Sequence, residues 1–283
     1  MQIFASIEDR AWREPDCVKR LRILRRGRRQ RQLWALRANR TARVVAACCA
    51  LLCCHQVARS KPVPAISNPH VHALGAAPAV WVVEETALRT FYSNGLAVRR
   101  EYETSSSPRS YLVYARGSLV SGSSRESLPA GIVFHTTESQ ILPLEPARNS
   151  ALLRSREDVL ERVRRGRLYN FVVDRFGQVY RIVPEGETAL HAGHSIWASG
   201  DRVWVNLNES FLGVSFEAET AQGFEPSASQ VHSGRLLIEV LRSRFALSEQ
   251  NCVTHAQVSV NPDNMRLGYH TDWGSSFPFE KLG

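Results

Sequence analysis

Gly131-Ile132-Val133-Phe134-His135-Thr136-Thr137-Glu138 is the stretch on which the fold turns. Its apolar run is too short for a helix and does not alternate, which fits a strand buried on both faces. The strand delivers a histidine at its end. Asn251-Cys252-Val253-Thr254-His255 repeats the arrangement much later in the chain. Between the two, helical and extended patterns alternate. Ser155, with Asp158 three residues on, opens a helix that Arg164 and Arg165 close before Gly166. Tyr169–Asp174 and Gln178–Val183 form a hairpin around Arg175-Phe176-Gly177, and Phe211–Glu217 is a further strand. Ser227-Ala228-Ser229-Gln230 caps a helix whose apolar face is Val231, Leu236, Leu237, Val240 and Leu241. The alternation predicts an α/β fold with a mixed central β-sheet flanked by helices.

The chain has 283 residues and a net charge of +9, but the basicity is local. Residues 1–60 hold 14 of the 36 Lys/Arg and 4 of the 27 Asp/Glu, so the remainder carries −1. A nucleic-acid groove in the folded body has no support from this balance. The cysteines divide the same way: five lie within the first 54 residues, and Cys252 alone follows. One thiol makes no internal disulfide, and in an apolar strand it reads as a small buried hydrophobe.

The arginine-dense stretch 19–43 runs into the apolar segment Val44–Cys54, too short to span a membrane but of signal-peptide length. Ala58-Arg59-Ser60 offers small residues near a cleavage point. Residues 1–60 therefore read as a basic leader with an export signal, and no stable membrane span is expected. The lead-in is long for a signal, which favours a translation start nearer residues 33–36. The alternatives are a lipoprotein box at Val45-Ala46-Ala47-Cys48 and a basic tail before a buried helix. Residues 61–79 read as a linker, His70 and His72 included. Residues 80–127 read as a small antiparallel β element: strands at Val80–Val83, Leu88–Tyr92 and Ser110–Tyr114, with Ser93-Asn94-Gly95 as a type I′ hairpin turn. The main domain is expected over 128–283.

Five motifs carry the chemistry. They are Ile132-Val133-Phe134-His135-Thr136-Thr137, Tyr169-Asn170-Phe171-Val172-Val173-Asp174-Arg175-Phe176-Gly177, Ala189-Leu190-His191-Ala192-Gly193, Leu212-Gly213-Val214-Ser215-Phe216-Glu217, and Thr254-His255 with Thr271-Asp272-Trp273-Gly274. In this order they resemble the zinc-dependent N-acetylmuramoyl-L-alanine amidases, which share a fold with the peptidoglycan recognition proteins and the small phage amidases. The resemblance spans about residues 128–283. It implies a zinc ion at one edge of the sheet cleft, bound by His135, His255 and Asp272, with one position open for water. About seven extra residues precede the Thr271–Gly274 turn, so Asp263 is a rival third ligand. His194 is a weaker candidate for a fourth.

The resemblance further implies cleavage of the amide between N-acetylmuramic acid and L-alanine of the stem peptide, in peptidoglycan or a muropeptide. Where one branch of the family carries a glutamate base, this chain has Ser215. Glu217, two residues on, would share that strand face and join the catalytic set. Tyr169 matches the catalytic tyrosine of the phage and recognition-protein branch, and His270 replaces the family lysine. Tyr169 and His270 are thus the expected transition-state stabilisers. His191 matches a cleft residue that contacts substrate, and Trp197 is the expected groove aromatic. Trp204 and Trp273 line the groove or fill the core; Asn208 and Glu209 have no assigned chemistry.

Two other readings remain open at this level: a non-catalytic peptidoglycan-binding module, and a cytoplasmic amidase that recycles muropeptides. Peptidases with a His-Glu-x-x-His helix are disfavoured because that motif does not occur. A monomeric, periplasmic or secreted protein is expected.

Overall fold

The structure, a computed structural model, describes residues 79–117, 124–220, 225–261, 263–273 and 277–282. The leader, its apolar run and His70 and His72 lie outside the described residues. By internal contacts the chain divides into Met1–Pro64 and Ala65–Gly283. Among the described residues no helix is long and apolar enough to cross a membrane.

Among the described residues, twelve strands form two sheets. The first are β1 (Val82–Glu85), β2 (Arg89–Tyr92), β3 (Ala97–Arg99), β4 (Tyr111–Ala115), β5 (Ser124–Glu126) and β6 (Gly131–Thr136). Helix α1 (Asn149–Gly166) precedes β7 (Phe171–Val173), β8 (Val179–Arg181), β9 (Ile196–Ser199) and β10 (Arg202–Val205). A short α2 (Leu207–Ser210) leads into β11 (Phe211–Phe216). Then come α3 (Ala228–Phe245), β12 (Cys252–Thr254), α4 (His255–Val258) and α5 (Phe279–Leu282). The main sheet runs β1-β2-β3-β8-β7-β11-β6-β12, and the second runs β5-β4-β10-β9. β7, β11, β6 and β12 are mutually parallel, while β8 is antiparallel to β7. The sheet is mixed and the second sheet is wholly antiparallel.

Period-2 alternation sorts the side chains of the parallel strands. Phe134, Phe171, Val173, Leu212, Val214 and Phe216 face α3, whose Leu237, Ile238, Val240 and Leu241 complete that core. On the other face Val172 packs under Val159, Leu160 and Val163 of α1. Beside them Val133 and Val253 pack under Tyr111, Val113, Trp197 and Trp204 of the second sheet. Both faces are covered, which explains the unbroken apolar run in β6. His135, Ser215 and Val172 lie in register across β6, β11 and β7, on the face shared by α1 and the second sheet.

Three local expectations change. Residues 80–127 do not form one self-contained element: β1–β3 extend the main sheet through β3 and β8, and β4 and β5 belong to the second sheet. Helix α1 begins at Asn149 rather than Ser155, after a turn of 3₁₀ helix at Pro146–Arg148. Leu152 lies seven residues before Val159 on the same buried stripe, so packing extends the helix past the better cap. The β2–β3 turn takes positive φ at Gly95 (+89°) and not at Asn94. It is a bulged turn rather than type I′, with Asn94 Nδ2 donating to Leu236 O at 3.0 Å. The cap of α3 forms as the sequence predicts, with Ser227 and Gln230 exchanging side-chain-to-backbone bonds of 3.1 Å.

Candidate metal centre

Three elements end at one point. β6 leaves His135 at its end, 1% exposed; β12 hands over to α4 at His255, 6% exposed; and the 271–273 turn brings in Asp272. Trp273, at φ +51°, anchors the turn by donating its Nε1–H to the His135 carbonyl at 2.7 Å. Asp272 Oδ1 lies 2.8 Å from His255 Nδ1, and Asp272 Oδ2 lies 3.1 Å from His135 Nδ1. One potential ligand atom from each residue falls within 4.8 Å of the others.

The electrostatics favour the ligand-competent states. Burial lowers the His135 imidazole to about 4 despite the attraction of Asp272, so the ring is neutral at pH 7. Burial alone would raise the Asp272 carboxyl, but its contacts with His135 and His255 outweigh that and hold it well below the usual range. Two imidazole nitrogens and an ionised carboxylate converge on one small space. Such a set repels itself unless a proton or a cation sits among them, and two nitrogens plus one oxygen suit zinc. The donor set therefore fits the implied metal.

Around the triad, the Tyr169 hydroxyl donates to Thr136 O at 3.3 Å, and its ring centroid is 5.1 Å from that of His135. Burial pushes its phenol up to about 12, so it stays a proton donor. Tyr169 is held at φ +59°, a conformation costly for an aromatic residue. Asn170 fastens the backbone there, donating its N–H to Gly213 O at 2.8 Å and accepting the Gly213 N–H at 3.0 Å. The His270 ring stacks on His255 at 4.3 Å and 16°, and its backbone N–H donates to Ser259 Oγ at 2.9 Å. Partial burial, then the neighbouring His255, lowers the His270 imidazole.

Several expected positions fall elsewhere. Asp263 is exposed, with its N–H on Asn261 Oδ1, and takes no part in the cluster. His194 is exposed and contributes its carbonyl to Val260 N–H. Glu217 keeps the sheet face of Ser215, since Val214, Phe216 and Ala218 all pack on the other side, and its buried carboxylate accepts the Arg175 N–H at 3.2 Å. Trp197 is a core residue rather than a groove aromatic, 5% exposed, its Nε1–H on Asn251 Oδ1 at 3.1 Å. Its alternation within β9 turns it inward against Val133 and Val253. His191 lies behind the triad, with Nδ1 3.1 Å from His135 Nε2.

Two residues without an assigned role support this layer. Asn208 Oδ1 accepts the N–H groups of His191, Ala192 and Gly193 at 2.7, 2.6 and 3.3 Å. Arg109, 2% exposed, spends its guanidinium on the carbonyls of Glu185, Glu187, Glu209 and Phe211. Neither carries a local signal, because each acts on backbone distant in sequence.

No curated protein sequence matches the chain. Solved structures similar to it include the N-acetylmuramoyl-L-alanine amidase LysC of Clostridium intestinale URNW, at 20% identity and TM-score 0.34, covering 54% of this chain and 82% of its own. AmpDh3 of Pseudomonas aeruginosa, solved with anhydromuramic pentapeptide, is 17% identical at TM-score 0.42, covering 59% of this chain and 63% of its own. AmiD of E. coli, solved with anhydro-N-acetylmuramic acid-L-Ala-D-gamma-Glu-L-Lys, is 18% identical at TM-score 0.41, covering 60% and 64%. The decisive match is the family model for N-acetylmuramoyl-L-alanine amidase, which spans residues 125–275, more than half of the chain and all three residues of the triad. The chain belongs to the N-acetylmuramoyl-L-alanine amidase family.

Proposed function

We propose that this chain is a zinc-dependent amidase that cleaves the bond between the lactyl group of N-acetylmuramic acid and L-alanine in peptidoglycan. The observation that carries the reading is the convergence of His135, His255 and Asp272. His135 and His255 would hold the ion through Nδ1 and Asp272 through its carboxylate. Zinc, when bound, supplies an activated water and a Lewis acid for the scissile carbonyl.

The chain's own residues do the rest. Tyr169, un-ionised and fixed by its backbone, presents an O–H to the oxygen that gains charge in the tetrahedral transition state. His270, stacked on a ligand and open to solvent, offers a ring nitrogen to the same oxygen or to the departing amine. Imidazoles bind a metal ion in their uncharged form, so Asp272 would supply the single formal negative charge among the ligands. That charge balances part of a divalent ion and preserves its electrophilicity. The basic leader supports export to the periplasm or beyond, with a monomeric enzyme acting there.

A defined muropeptide provides the test. Metal-free protein should be inactive, and one equivalent of zinc should restore release of an L-alanine-terminated peptide. Undiminished cleavage in excess chelator would refute the zinc assignment. Ser215 favours one second reading: in register with His135, it stands where one branch of the family carries a glutamate base, which suits a module that binds peptidoglycan without cutting it. Zinc-loaded protein that binds the muropeptide and leaves it intact would establish that alternative.

A further inference from the structure

We infer that His191 is a positioning residue, which fixes His135 in the one ring state whose Nδ1 is free to bind a metal ion. The inference rests on the zinc reading above and assigns His191 a role away from substrate.

The argument begins at the Phe211 carbonyl. A carbonyl oxygen has no proton to give, so its 3.2 Å contact with His191 Nε2 requires an N–H on that nitrogen. A neutral imidazole carries only one, which leaves His191 Nδ1 as a bare acceptor. His135 Nε2, 3.1 Å away, must then supply the proton between them. With its single N–H committed there, His135 turns a bare Nδ1 toward the ionised Asp272 Oδ2 at 3.1 Å, a pairing that is favourable only with a cation between them. Metal-binding histidines commonly have the second nitrogen held by an acceptor. Here the acceptor is another imidazole.

The chain makes His191 neutral and immobile. Arg109 donates Nη1–H to the same Phe211 carbonyl at 3.1 Å, and all its hydrogen bonds go to uncharged backbone carbonyls. A protonated His191 would add a second cation beside that buried guanidinium, away from water. Protonation would also reverse the relay: an Nδ1–H on His191 would claim the lone pair of His135 Nε2 and drive the His135 proton onto Nδ1. Asn208 Oδ1 fixes the backbone of 191–193. Gly213 makes room for the ring, since a Cβ there would lie 2.6 Å from His191 Cγ. The same glycine is fastened by Asn170, so one network seats both the His191 ring and the Tyr169 backbone.

The test uses the full chain in two ways. In the ¹⁵N-labelled, zinc-loaded protein, His135 should show a slowly exchanging Nε2–H coupled across the hydrogen bond to an unprotonated His191 Nδ1. In competition with a chromophoric chelator, His191→Leu should bind zinc about 10- to 100-fold more weakly than the native chain. His191→Asn, whose Oδ1 can accept from His135, should recover most of that loss. A merely structural role would produce neither the coupling nor the rescue. A native His191 protonated at Nδ1, or a His191→Leu chain that binds zinc as tightly as native, overturns the inference and leaves the proposed function standing. If His191→Leu fails to fold, the spectrum of the native chain decides alone. A native chain that takes up no zinc overturns the proposed function, and this inference with it.

Discussion

Asp272 reaches two imidazoles at once, and that double reach makes the triad more than three neighbouring polar residues. Asp272→Ala should therefore abolish zinc uptake, read as metal content after gel filtration, because two histidines alone make a weak site. Tyr169→Phe should retain zinc yet lose about 10²-fold or more in kcat/KM, the scale of one lost oxyanion donor. His270→Ala should likewise keep the metal and lose turnover; full activity would remove the imidazole from the mechanism. The triad is legible in the sequence because each member ends a short, recognisable element. Trp197 is misread for a different reason. Residue type suggests a groove aromatic, but inward alternation in β9 turns the indole into the core. Arg109 leaves no trace in its own neighbourhood, since its four carbonyl partners lie some 80 to 100 positions away.

At the scale of elements, the parallel strands are legible from their apolar runs, and α3 from its cap. Strand partnership is not. β1–β3 carry a hairpin signal that is equally compatible with a separate element, and only the β3–β8 pairing, formed across the chain, adds them to the main sheet. The start of α1 is obscured because buried Leu152 outweighs the polar cap at Ser155. The cap of α3 offers a clean element-level test. Ser227→Ala removes the side-chain half of a capping box and should cost about 1 kcal/mol in urea unfolding. Zinc affinity should not change, because α3 packs on the sheet face opposite His135 and Ser215. A weakened metal site in that variant would mean that the two faces are coupled through the sheet.

Over the whole molecule, β6 and β12 deliver their histidines at the carboxyl ends of parallel strands, where open α/β sheets place their ligands. The same sheet ends bury Glu217 next to Asp174, and burial raises both carboxyls above their ordinary values. A carboxyl raised on folding binds its proton more tightly in the folded state. Its contribution to stability is therefore greatest in acid and falls as pH climbs from the unfolded value to the folded one. Glu217→Gln keeps an acceptor for Arg175 N–H and removes that loss. It should be at least as stable as native above neutral pH, with the advantage fading as pH drops into the carboxylate range. Thermal unfolding across pH would read this directly; an advantage that grows in acid would reverse the sign. The central claim is the chemistry of the triad. Its most direct test is mass spectrometry of the products released from intact peptidoglycan by the zinc-loaded chain. The account predicts free stem peptides beginning with L-alanine, lost on chelation and restored by zinc; a zinc-loaded chain that binds the wall and releases nothing would contradict it.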